Sequence, residues 1–440
     1  MMSNEPTAVS GYVRQFEAAG DRLPGGGWLA EARRVAINRF ATLGFPGRKT
    51  EEWKYADLRP LSRAAYTEIG DTAGVSGETV DAHAIPGLDP VCRLVFVNGR
   101  FMQPLSKVTG LPQGLQVRSL REMLMTGGGI LRETLLGLGE DDAFVQLNTA
   151  LMRDGAVLLL EPGVQIDKPL ELLFIGGGTE GAASHLRNVI RLGEGAALNI
   201  VENYSGMGED ACFTNSVTQI SLAGDARLEL TRRQRECPAA AHIGRTFLSL
   251  DKAHATVTAL SVGGLTARHE LRATFNAGGG HLDFSGVQLS SGKQVLDTLT
   301  LFDHAVPETS SNQVYRGVLA GQSTASFQGK VRVRRNAQHT DAQQHSASLL
   351  LERGATANAK PELEIFADDV KCAHGATVGE MDPAQIFYLM ARGLARAEAE
   401  SLLTEAFIAE PIAAISDPAL REACLADARR WVKTVRGETP

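Results

Sequence analysis

From Gly155 to about residue 370 the chain offers no long amphipathic helix. It is a succession of short strand-like runs, among them GAVLLLE, LELLFIG, ALNIVENY and ASFQGKVRVRR, broken by glycine, aspartate and asparagine. A small residue, any residue and an apolar residue follow a turn at Ala196-Ala197-Leu198, Ala226-Arg227-Leu228, Ala255-Thr256-Val257, Gly280-His281-Leu282, Ala325-Ser326-Phe327 and Ala355-Thr356-Ala357. The steps between them are 30, 29, 25, 45 and 30 residues. Periods of about 20 to 50 residues mark solenoids, in which each coil buries its apolar face only against its neighbours. The spacing therefore predicts a β-solenoid of the β-helix kind. The long step predicts one coil with an insertion, and helices at both ends are expected to cover the unpaired strand edges.

The flanks have the helical period. Residues 9–45 place Tyr12, Val13 and Phe16, then Trp28, Leu29, Val35 and Phe40, at helical spacing. RKTEEWKYADL supplies the anchors Trp53, Tyr55 and Leu58, and CRLVFVN running into Asn98-Gly99 and Phe101 predicts a hairpin. Residues 117–152 return to helical spacing. Beyond Gly379, Asp382 is a candidate cap and Pro383 suits a first helical position. That helix should end at Gly393, with a second from near Arg396 to before Pro411 and a third over Pro418–Val435. The expected division is a mostly helical region with a hairpin over 1–152, a β-helix over 153–374 and a helical domain over 375–440.

At 440 residues, about three domains are expected. A net charge of −7 argues against a general nucleic-acid footprint, with the strip Arg332, Arg334 and Arg335 as a local exception. The segment MMSNEPTAVSGYVRQFEAAG does not read as a signal peptide, and no apolar run approaches the roughly 18 residues that span a bilayer. The expected location is cytoplasmic, away from membranes. Five cysteines, odd in number, distant in sequence and without a Cys-x-x-Cys pair, predict free thiols in a reducing compartment.

Three motifs bear on chemistry. Gly176-Gly177-Gly178-Thr179-Glu180-Gly181 formally matches a dinucleotide fingerprint after a strand, but His185–Leu192 alternates as a strand where the motif needs a helix. GVQLSSGKQ is not a P-loop, because Gln294 stands where serine or threonine would hold magnesium. His339 and His345, near Asp341, are marginal metal candidates. The most informative stretch is PELEIFADDVKCAHGATVGE, residues 361–380. If it is extended, Cys372 and His374 project from one face of the pleat, a soft sulfur and a nitrogen suited to zinc, copper or iron. Lys371 and His374 are placed to favour the thiolate. Two ligands leave a site incomplete, so the others must come from elsewhere. A metal- or dinucleotide-dependent enzyme on a β-solenoid is the alternative reading.

RKTEEWKYADL, RLVFVNGRF, PELEIFADDVKCAHGATVGEMDPAQIFYLMARGL and LLTEAF together resemble the SufB/SufD family of iron–sulfur cluster assembly scaffolds, and the Cys-x-His-Gly-Ala-Thr-Val-Gly form is most like its SufD branch. The resemblance implies a right-handed parallel β-helix flanked by helical domains, with no catalytic residues of its own. It implies a non-enzymatic scaffold in the SUF complex that pairs with SufB and binds the ATPase SufC. A nascent iron–sulfur cluster would form at the SufB interface on His374, with Cys372 in support, and ATP would enter only through SufC. The hairpin from Pro383 to about Glu410 would be the SufC-binding region, with Asp382, Pro383, Phe387, Tyr388, Leu402, Leu403 and Phe407 as candidate contacts. Open β-helix edges also allow a homodimer when SufB is missing.

Overall fold

Each coil of the repeat region lays one strand into each of two parallel sheets. A computed structural model describes residues 8–63, 65–68 and 75–437. One sheet stacks Ala156–Leu160, Ala182–Leu192, Cys212–Leu222, Ala241–Asp251, Thr266–Ala277, Val295–His304, Thr324–Val333 and Thr356–Ile365. The other stacks Gln165–Gly177, Ala197–Met207, Arg227–Arg235, His254–Ser261, His281–Ser290, Ser310–Leu319, Asp341–Leu350 and Lys371–Glu380. The result is a β-solenoid of about seven turns.

In the second sheet the rungs Ala197, Arg227, His254, His281, Ser310, Asp341 and Lys371 stand in register, at steps of 30, 27, 27, 29, 31 and 30 residues. The 45-residue step therefore reflects no insertion. The first four triplets lie in or beside the second sheet, whereas Ala325 and Ala357 pair in the first, so the pattern skipped half a coil by changing sheets. The uneven 29 and 25 have a similar origin, because Ala255 stands in register with Leu228 and Leu282 rather than before them. Buried together with Leu198, these residues form one column of the core, where each fully buried leucine contributes about 1.5–3 kcal/mol. Equivalent aromatic positions stack along the axis, with ring centroids 5.1 Å apart for Phe96 and Phe174 and 4.7 Å for Phe174 and Tyr204.

The amino-terminal region closes one end of the solenoid. Cys92–Val97 adds a parallel strand to Gln165–Gly177 and turns back through Asn98 and Gly99, both at positive φ, into Arg100–Phe101. Where helix was expected from residue 117, Leu115–Ser119 instead pairs with Ala156–Leu160, and the helical spacing beyond it resolves into Leu120–Met125, Leu131–Leu135 and Ala143–Leu151. Asp154 fixes this junction, since its carboxylate accepts hydrogen bonds from Ser119 Oγ at 2.7 Å and from the amides of Phe101, Arg121 and Gly155. A Cβ on Gly155 would lie 2.0 Å from the carbonyl oxygen of Arg187 on the next coil, at φ +157. Gly155→Ala is expected to cost at least about 1–3 kcal/mol, read as a lower urea midpoint at unchanged m-value. An unchanged midpoint would show that the junction yields freely.

At the other end the expected cover is absent. Helices Pro383–Ala391, Arg396–Ile412 and Pro418–Val435 turn back from the solenoid end, and the last two pack along its flank. Ile408, Ile412, Leu420, Cys424 and Trp431 lie in one cluster with Val201, Leu260, Val287, Leu289 and Val318 of the second sheet. The second helix runs one residue past Pro411, which sits inside its last turn rather than after it. Strand Lys371–Glu380 spans the 374/375 division and is left at the edge of its sheet, as Thr356–Ile365 is in the other.

Candidate functional site at the open end

In the penultimate strand of the second sheet, Ala342, Gln344 and Ser346 are buried while Asp341, Gln343 and His345 are exposed, so the even positions face the solenoid interior. The last strand is in register with it: Cys372 pairs with Ala342, His374 with Gln344, Ala376 with Ser346. Cys372 and His374 therefore share the inward side of the final rung, where no further coil covers them. Cys372 is half-buried against Val331, Val333, Ala337, Ala342 and Ala367. His374 is exposed. Burial pushes the Cys372 thiol up, which opposes the expectation that Lys371 and His374 would favour the thiolate. No cluster of three or more His, Cys, Asp or Glu side chains suited to a metal ion occurs among the described residues. The rung therefore presents two inward donors, one soft and one borderline.

The marginal histidines are engaged elsewhere. His339 Nδ1 lies 3.0 Å from Asp369 Oδ2, and His345 Nδ1 lies 3.1 Å from Arg316 Nη1. Gly176 and Gly177 end strand Gln165–Gly177 of the second sheet, and residues 178–181 turn into Ala182–Leu192 of the first, with no helix after them. Its glycines answer to packing, since a Cβ on Gly177 would lie 2.6 Å from Met207 O at φ +99. In GVQLSSGKQ, residues up to Ser290 lie in a strand. Neither segment is built to cradle phosphate.

Next to the open rung, Asp382 Oδ1 accepts from the Ala384 amide at 2.8 Å and Pro383 opens the first carboxyl-terminal helix, as capping chemistry dictates. Its outer face carries Phe387 and Tyr388, 73% and 57% exposed, and the following helix adds Leu402 at 49%. Leu403 and Phe407 are half-buried, Phe407 with the flank cluster. A groove of about 630 Å³ separates this hairpin from Leu350 and Leu351 of the solenoid.

Sequence reasoning missed the tie between hairpin and solenoid. The Arg316 guanidinium pairs with Glu410, lies 5.6 Å from the Phe407 ring centroid and reaches His345, whose rung partner is Gly375 beside His374. The only signal was an arginine inside the apolar run QVYRGVL.

The family model described as SUF system FeS cluster assembly, SufBD core domain, matches residues 174–407, and the SufBD protein N-terminal region matches residues 15–172. The chain belongs to the SufBD family. Its SufBD relatives include the iron–sulfur cluster assembly protein SufD of Escherichia coli, 30% identical over 97% of both chains. A SufBD family iron–sulfur cluster assembly protein of Synechocystis is 30% identical over 87% of this chain and 86% of its own. The chloroplastic protein ABCI7 of Arabidopsis thaliana is 28% identical over 92% of this chain and 86% of its own. This is a SufD-like iron–sulfur cluster assembly protein, and no helix among its described residues is long and apolar enough to cross a membrane.

Proposed function

We propose that the chain is a non-enzymatic scaffold whose open solenoid end pairs with SufB, with a nascent iron–sulfur cluster as cargo at that junction and His374 as one of its ligands. The observation that carries this is the uncovered last rung, which offers two inward donors and, among the described residues, no third. Ile365, Phe366 and Val378 are exposed on or beside the two edge strands, and an uncovered parallel edge is a ready template for another chain's strand. In isolation the same edges would pair two copies of this chain.

The Pro383–Glu410 hairpin binds SufC in this reading, through Phe387, Tyr388, Leu402 and Leu403 around the capped start at Asp382 and Pro383. ATP acts only through that partner. A shift of the hairpin would be felt at the cluster rung through Glu410, Arg316 and His345, provided SufC contacts it differently in its two nucleotide states. Cys372, its thiol held protonated by burial, is the supporting ligand, becoming available when the rung opens.

Co-expression of tagged chain with SufB and SufC tests this assembly. Phe387→Asp is expected to weaken SufC capture at least about tenfold, as loss of an exposed aromatic anchor does, while SufB still co-purifies. Undiminished SufC capture would remove the hairpin from the interface, and failure of the unaltered chain to retain SufB would remove the scaffold reading.

A further inference from the structure

Cys212 and Cys237 are 25 residues apart in sequence, yet their sulfurs lie 3.8 Å from each other. Cys212 opens its strand, in register with Ala182 on the preceding coil. Cys237 follows strand Arg227–Arg235 at the corner that ends with the Ala240 amide donating to the Cys237 carbonyl at 3.0 Å. Both are buried in a small apolar cluster with Ala182 and Ala240. The corner has little room to drift, because a Cβ on Gly206 of the coil below would come within 2.3 Å of the Cys237 amide nitrogen. Cys237 Sγ donates to Asp210 O at 3.2 Å, which leaves the Cys212 thiol to donate to Cys237 Sγ. That hydrogen bond holds Cys237 below the ordinary thiol range and pushes Cys212 up, so the two sulfurs are unlike in their readiness to ionise.

We propose that Cys212 and Cys237 form an oxidation site in which a hydroperoxide converts the pair reversibly into a disulfide spanning one coil. The Cys237 thiol gives up its proton as its sulfur attacks a peroxide oxygen; the O–O bond breaks and the departing oxygen takes up that proton and leaves as water, giving a sulfenic acid. The Cys212 thiol loses its proton as its sulfur attacks that of Cys237, the S–O bond breaks and water leaves, giving the S–S bond. Two thiols lose two electrons and hydrogen peroxide is reduced to two waters. A bonded pair needs sulfurs about 2.05 Å apart, so the remaining approach falls to side-chain rotation on a fixed backbone. The product would bolt the corner of one coil to the start of a strand beside the residue, Ala182, on which the short segment Thr67–Glu68 pairs. Strand Cys212–Leu222 would then be held to the corner after strand Arg227–Arg235 against opening.

The test uses the full chain, treated with hydrogen peroxide, alkylated and digested without reductant. A linked Cys212–Cys237 peptide pair, with the loss of two hydrogen masses and its recovery on adding dithiothreitol, is expected, together with a raised thermal midpoint that dithiothreitol reverses. In Cys212→Ser the link is lost and dimedone should trap Cys237 as its sulfenic acid; in Cys237→Ser, Cys212 should stay a thiol. Recovery of both residues as free thiols while Cys372 is oxidised would overturn the proposal, as would a Cys237 that resists dimedone in Cys212→Ser.

Discussion

Asp427→Ala is expected to destabilise the chain by about 3–5 kcal/mol, the usual consequence of stripping one partner from a buried ion pair. Asp427 is 3% exposed on the last helix, and Arg233 of the solenoid grips it with Nε at 2.6 Å and Nη2 at 2.9 Å. Arg233 is itself buried, with Nη1 on Asn203 Oδ1 at 3.1 Å, so it cannot swing out to water without breaking a second contact. Arg235 and Arg430 lie 3.7 and 3.2 Å from the same carboxylate. Burial, and then the neighbouring Arg233, already push the Arg235 guanidinium down to about 10, a sign of how crowded with positive charge this spot is. Removing the carboxylate leaves three cations facing one another. The exposed Arg430 contributes little, because water screens it. Urea unfolding of the full chain should show the loss, and limited proteolysis should cut first before Pro418. Asp427→Leu combined with Arg233→Met should recover most of it, since an apolar pair of similar volume removes the desolvation cost along with the attraction. A loss below about 1 kcal/mol for Asp427→Ala would mean that the apolar contacts of Trp431 and Cys424 alone hold the helix.

The solenoid was legible because parallel stacking makes every coil repeat the same inward column, so leucine and alanine recur at one rung length. What misled was the assumption that the recurring triplet marks one corner. It occurs at the start of strands in both sheets, with Ala325 and Ala357 in the first and Ala197 and Arg227 in the second. The end covering was misjudged for a different reason. An amphipathic helix shows that it buries a face but not which surface receives it, and the flank of the second sheet offers Val201, Leu260, Val287 and Val318 as an apolar bed. The 117–152 segment is helical as expected from Leu120 on, and only its start differs, because Val117 serves an edge strand as readily as a helix.

At the candidate site, period-two alternation was enough to put Cys372 and His374 on one side of a strand. The sequence could not show that this side is the inward one or that nothing lies above it. It also could not pair the long-range contacts, such as Arg316 with Glu410, 94 residues apart, where an arginine in an apolar run was the one signal, or Cys212 with Cys237, since neither has a local spacing rule. All five cysteines are free, as their spacing predicts, but their separation along the chain gave no sign that two of them meet in space.

The second large effect concerns His374. Its side chain makes no hydrogen bond or ion pair among the described residues, and Gly375 beside it only approaches His345, so truncation removes a donor without leaving a buried partner orphaned. His374→Ala should therefore keep the unfolding midpoint and the partners of the unaltered chain. It should lose the cluster almost completely, because a fragment with two donors that loses its exposed imidazole retains only a half-buried, protonated thiol. Cys372→Ser should lower the yield without abolishing it. The decisive measurement is iron and acid-labile sulfide per complex after anaerobic purification with SufB and SufC, for the unaltered chain and His374→Ala side by side. Iron and sulfide are expected in the first and background levels in the second at equal subunit stoichiometry; equal iron and sulfide in both would rule out His374 as a cluster ligand.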